Sequence, residues 1–303
     1  MHLFSPLQVG RARLPNRIAL TAVPSGFAGA GGFAGPAFGA YYAERARGGA
    51  GLIVLEAAWP LPPSDTGAPH LGLYADAHVT GLRECIGAIH RHGALAFQMI
   101  DQPAPAAAAD DTGLDELGAA WVAAAWRAHA AGADGVMFSC ADGGPFDQLL
   151  SPSTNRRTDQ YGGDLGGRLL LLQEVVERVK GWIGGRLLVG VRLNVGELGS
   201  GSLPLQDARV AAKRLTAAGA DLLEISAEGG GNTPIARFPG WRVPLAAEVR
   251  AVIDIPVMVG GLLADAELAD SVIREGSADI VALGETLRAE PAWPQYARQM
   301  LGR

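Results

Sequence analysis

Eight short, nearly continuous apolar runs recur along the chain, and they constrain the fold more than any other feature. They are RIALTAV from Arg17, GLIVLEA from Gly51, LAFQMI from Leu95, GVMFSC from Gly135, LLVGVRL from Leu187, LLEIS from Leu222, PVMVGG from Pro256 and IVALG from Ile280. Runs of this length without polar alternation are strands buried on both faces, which is the condition of a parallel sheet covered by helices. Helical stretches separate them: Leu114 to Ala131, Arg168 to Lys180, Leu205 to Ala218, Val243 to Val252, Ala266 to Glu275 and Thr286 to Met300. The phrases AAGADGV, AAGADLL, REGSADIV and RGGAGLIV repeat one way of ending a helix on glycine and entering the next strand. Eight such units predict a parallel (β/α)8 TIM barrel. With no Pro/Ser-rich linker or break in composition, residues 1–303 read as a single domain.

Composition narrows the function classes. The chain is 49% hydrophobic and 18% charged, with 42 Gly and 19 Pro, as suits a packed α/β enzyme rather than a disordered chain. Its formal charge is -6 and contains no Lys/Arg stripe, so no nucleic acid partner and no anionic membrane surface is expected. The start lacks an apolar secretory core, no run is long enough to cross a bilayer, and Cys85 and Cys140 are too few for a disulfide framework. A cytoplasmic protein acting on a small-molecule substrate is expected, with rim and helix surfaces that suit a homo-oligomer. The six histidines are scattered and none stands at a strand end, so no metal site is expected.

In a barrel, chemistry gathers where the strands end. The polar residues there are Glu56, Gln98, Asp101, Ser139, Cys140, Asp142, Arg192, Asn194, Ser226 and Glu228. A guanidinium buried at a strand end needs an acceptor, so Arg192 faces either a ligand or an internal partner, Glu56 or Glu224. Glycines after the seventh and eighth runs, Gly260, Gly261 and Gly284, let backbone N–H groups approach a phosphate. Glu285 beside them has the wrong sign for an anion unless it turns outward or a cation bridges it. The structural alternative, tight turns without a ligand, stands beside this reading.

The segments LFSPLQVGRARLPNRIAL and YYAERARGGAGLIVLEA, and above all LLSPSTNRRTDQYGGDLGGR, resemble the Old Yellow Enzyme family of NADH:flavin oxidoreductases, and the likeness covers almost the whole chain. RFPGWRV and SADIVALGETLRAEP fit the family's later units. The resemblance implies a barrel that binds FMN at its rim, takes hydride from NAD(P)H and reduces an activated C=C bond. It also implies FMN contacts at Ala22, Val23 and Ala57 near the ring, at Gln98 and Arg192 on the pyrimidine side, and at Gly260, Gly261 and Gly284 by the phosphate. Arg192 has an independent reason, because negative charge gathers at N1 and C2=O of a reduced flavin.

The departures fall in the site. Where the family carries a paired His-x-x-His or His-x-x-Asn and then a tyrosine proton donor, this chain has Ser139, Asp142 and Gly144. An ionised Asp142 only accepts hydrogen bonds, although a buried and protonated one would donate. Gly144 opens room for a larger substrate. Asp101 replaces a histidine, and Glu285 replaces the phosphate-binding arginine. Two other readings therefore stand beside the flavoenzyme: a flavin-independent, redox-neutral isomerase or cyclase using Asp142, Asp101 or Glu285 as acid and base, and a non-catalytic relative.

Overall fold

The computed structural model describes residues 1–63, 70–103, 111–196, 203–227 and 237–302, so Glu228 and most of the Ala/Pro-rich connector after Asp101 lie outside the described residues. Eight parallel strands form the barrel: β1 (Ile18–Leu20), β2 (Leu52–Trp59), β3 (Leu95–Ile100), β4 (Gly135–Cys140), β5 (Leu188–Gly196), β6 (Leu222–Ser226), β7 (Val257–Val259) and β8 (Ile280–Ala282). Each pairs with its sequence neighbour. The ring closes where β8 meets β1, with Val281 opposite Ile18 and Ala282 opposite Ala19.

Among the described residues, eight of the helices are longer and surround this ring: α1 (Pro36–Arg47), α2 (Val79–His90), α3 (Asp111–Ala130), α4 (Leu165–Ile183), α5 (Leu205–Ala218), α6 (Val243–Arg250), α7 (Ala266–Arg274) and α8 (Trp293–Leu301). The predicted helix from Thr286 to Met300 is two helices, Gly284–Ala289 and α8, because Pro291 pushes Glu290 out of helical geometry at φ −132°. Helix α1 begins at Pro36, whose fixed φ suits the first turn of a helix. A short helix, Pro145–Leu150, interrupts the loop that follows β4.

Two cores result. Ala19, Leu52, Val54, Phe97, Met99, Met137, Leu188, Leu222 and Met258 fill the inside of the barrel. An N-terminal hairpin, Leu7–Val9 against Ala12–Leu14, packs Val9 and Leu14 into the same cluster and seals one end. The second core lies between the strands and the helices.

The repeated sequence phrase has a physical purpose at the three turns where it carries an aspartate. Its aspartate accepts the N–H of the preceding strand while pairing with a cation from the helix before that strand. Asp134 thus joins Ala96 N to His90, Asp221 joins Val189 N to Lys180, and Asp279 joins Val257 N to Arg250. The glycine before it takes the left-handed conformation that ends the helix, as at Gly219 with φ +108°.

Candidate active site

Strand alternation decides which side chains reach the mouth. With Ala19, Met137, Leu188 and Leu222 facing inward, the same parity carries Thr21, Ser139, Arg192 and Glu224 to the inner rim. There Thr21, Arg192 and Glu224 border a cleft of about 700 Å³, within the range of small-ligand sites. Ala22, Val23, Ala57, Asp101, Asp142, Arg192, Gly260, Gly261, Gly284 and Glu285 all line it. Ser139 and Gln98 do not.

Gln98 stands between the inward-facing Phe97 and Met99 and is fully buried. Its amide nitrogen donates to Glu56 O and Met99 O, each at 2.8 Å, and its Oε1 is left buried with no hydrogen-bond donor. Ser139 is likewise fully buried and hydrogen-bonds the Asp101 carboxyl from behind.

Arg192 takes the internal partner. Its Nε donates to Glu224 Oε2 at 3.0 Å, Nη2 donates to Thr21 Oγ1, Nη1 lies 3.5 Å from Asp142 Oδ2, and Thr21 in turn donates to Glu224 Oε1. Burial works against the charge on Arg192. Glu224, helped by Asp142 and Asp101, outweighs it and holds the guanidinium above its ordinary range. Glu56, the other partner expected from sequence, instead accepts Ser25 N–H at 2.6 Å and the Tyr42 hydroxyl at 3.4 Å. Thr21 escaped the sequence reading although it lies two residues after Ala19 on the same strand face.

The acids divide differently from expectation. Asp142 is 58% exposed and paired with Arg192, so it is not the buried, protonated donor that would replace a histidine. Its backbone is left-handed at φ +60°, a conformation aspartate tolerates in a turn. Asp101 is the buried acid. Burial pushes its carboxyl up to about 8, against hydrogen bonds from Gln102 N–H and Ser139 that favour the anion. Nor does Gly144 open space: a Cβ there would stand 2.3 Å from Asp101 Oδ1, so the carboxyl already fills that room. Cys140 is fully enclosed and burial drives its thiol well above the usual range, which removes it as a nucleophile.

At the other end of the cleft, the glycines of β7 and β8 form a cradle that side chains would fill. A Cβ on Gly284 would meet Val23 Cγ1 at 2.9 Å, and one on Gly260 would meet Ala282 O at 3.0 Å. Glu285 turns away from it: its carboxylate is 73% exposed and accepts from Arg288 Nε at 2.9 Å. The first condition under which the sequence allowed an anion beside Glu285, an outward carboxylate, is thus met. Arg237 and Arg242, from the segment entering α6, also line the cleft and were missed in the sequence. The signal available was RFPGWRV, two arginines in one seven-residue phrase after the sixth run.

The motif that carried the resemblance most strongly is architectural. Asn155 Nδ2 donates to Leu149 O and Tyr161 O at 2.7 and 2.8 Å, and Arg168 Nε donates to Leu150 O at 2.9 Å, tying the loop after β4 to α4. Among the described residues, no helix is long and apolar enough to cross a membrane.

Comparison with known proteins agrees with this frame. The chain is 32% identical to an NADH oxidase of Thermoanaerobacter brockii across 98% of its own length and 51% of that protein. It is 33% identical to an NADPH dehydrogenase of Listeria monocytogenes across 87% of its own length and 84% of the relative. The chain therefore spans about half of the first relative and most of the second. Morphinone reductase superposes with a TM-score of 0.83 at 26% identity, covering 98% of this chain and 89% of that one. A model of the NADH:flavin oxidoreductase / NADH oxidase family matches residues 2–117 and 108–302, and the chain belongs to that family.

Proposed function

We propose that this chain is an FMN-dependent NAD(P)H oxidoreductase that reduces an activated C=C bond or a related electron-poor acceptor. The observation that carries the reading is the shared cleft: bare glycine backbone from β7 and β8 at one end, and Arg192 held at the mouth by Glu224 and Thr21. Backbone N–H groups at Gly260, Gly261 and Gly284 would hold the phosphate, and Ala22, Val23 and Ala57 would border the ring without filling its space. Arg192 would face the pyrimidine edge, and Gln98, buried behind the lining with its Oε1 lacking a donor, would reach that edge only by turning its amide toward the cleft. Held there, FMN would supply the hydride-transfer chemistry between NAD(P)H and the acceptor.

The protein's own part is positioning and proton control. Asp101, neutral below about pH 8, holds a proton in the cleft, and Ser139 fixes the orientation of its carboxyl from behind. Asp142 stands beside Arg192 at the substrate side, where it accepts hydrogen bonds from a donor-bearing substrate. The redox-neutral reading leaned on Glu285 as an intruding acid, and a carboxylate paired outward with Arg288 gives it little support. A cytoplasmic location accords with two buried, free cysteines, and self-association belongs to the same reading.

The test is anaerobic. Purified chain supplied with FMN should absorb near ~450 nm, as oxidised flavin does, and should bleach on adding NADH or NADPH. Flavin that binds but stays oxidised with both nucleotides contradicts the proposed reaction.

A further inference from the structure

A dianionic phosphate in the glycine cradle calls for a cation, and position 285 no longer provides one. Arg242 lines the same cleft beside that cradle. Its Cγ, Cβ and N lie 3.3, 3.4 and 3.4 Å from the point a Cβ on Gly261 would occupy, so the side chain lies directly against the β7 turn. Gly240 N–H donates to Gly261 O at 2.8 Å and fixes the arginine's own loop to that turn. The guanidinium stacks over the buried Trp241 ring at 4.7 Å, which restricts its rotamers. Its Nη2 contact to Ala227 O is long, 3.5 Å, and a phosphate oxygen would make a stronger acceptor. Arg237 borders the same ring at 5.9 Å and adds a second positive charge to this wall.

We propose that Arg242 is the phosphate-binding guanidinium of this chain, so that the charge lost at position 285 is restored from the β6–α6 segment. The inference rests on the flavin reading above and adds to it where the phosphate is gripped. A planar guanidinium held by stacking can offer two N–H donors to one phosphate, which a lysine cannot reproduce.

Paired titrations of flavin-free chain with FMN and with riboflavin, followed by flavin fluorescence, test it for wild type, Arg242→Ala and Arg242→Lys. Wild type should bind FMN more tightly than riboflavin. Arg242→Ala should raise the FMN Kd about 10- to 100-fold, as expected for losing a charge-assisted hydrogen bond, and leave the riboflavin Kd within about twofold. Arg242→Lys should fall between them. Retained riboflavin binding also shows that the variant is folded. Equal weakening of both flavins makes Arg242 a scaffold residue and overturns the proposal, as does an unchanged FMN Kd in Arg242→Ala. Wild type that binds the two flavins equally overturns the phosphate grip but leaves the ring site, and wild type that binds neither overturns the flavin reading itself.

Discussion

The carboxyl of Asp101 occupies the space above Gly144: any Cβ at position 144 would come within 2.3 Å of Asp101 Oδ1. The two residues are therefore a matched pair, one donating volume and the other filling it. Gly144→Ala should expel the Asp101 carboxyl toward solvent and lower its proton affinity. The check is the pH profile of acceptor reduction, whose alkaline limb should move to lower pH in Gly144→Ala. A profile identical to wild type contradicts the pairing.

Asp101 also makes a prediction about pH. Its value in the folded chain, about 8, is above the ~3.9 of an exposed aspartate, so the folded state binds the extra proton between those limits. Stability from this group is present below about pH 4 and is lost as pH rises through about 8. Asp101→Asn should remove that slope in chemical denaturation. It should also slow acceptor reduction by about 10²–10⁴-fold, the usual contribution of a positioned general acid, with little effect on flavin reduction by NAD(P)H.

The Arg192–Glu224 pair is enclosed, with side chains 8% and 6% exposed. Arg192→Met leaves a buried carboxylate without its cation and should cost about 3–5 kcal/mol in urea unfolding. Glu224→Leu combined with Arg192→Met should recover part of that loss, because the double variant buries no lone charge. Additive losses in the double variant contradict the coupling.

His90 reports on the turn repeat. The hydrogen bond to Asp134 raises its imidazole above the ordinary value, against burial that lowers it. Stabilisation from the charged pair is complete below about pH 6.5, the unfolded value, and is lost as pH rises through the raised folded value. The difference in urea midpoint between wild type and His90→Ala should be larger at pH 5.5 than at pH 9. A difference independent of pH contradicts this account of the turn.

Much of the barrel was legible because its signals are local. A strand buried on both faces is apolar throughout, and the helix-ending glycine with its aspartate recurs at Asp134, Asp221 and Asp279, so the eight strands could be placed within a few residues. The site was legible by position but not by role. That Asp101 is the enclosed acid and Asp142 the exposed one depends on the path of the loop after β4, where Asp142 and Gly143 turn left-handed at φ +60° and +76°. Nothing in a linear pattern fixes that path. The choice of Glu224 over Glu56 for Arg192 follows from strand register, since Glu224 lies opposite Arg192 while β2 shifts register between Leu55 and Ala58. Arg242 went unread because its role depends on contact with Gly261, which the fold creates from separate units.

The most direct measurement is a crystal structure of the chain with FMN. The account predicts the phosphate against Gly260, Gly261 and Gly284, with the ring over Ala22 and Ala57 and its pyrimidine edge toward Arg192. A flavin bound outside this cleft, or a cleft still empty at saturating FMN, would contradict it.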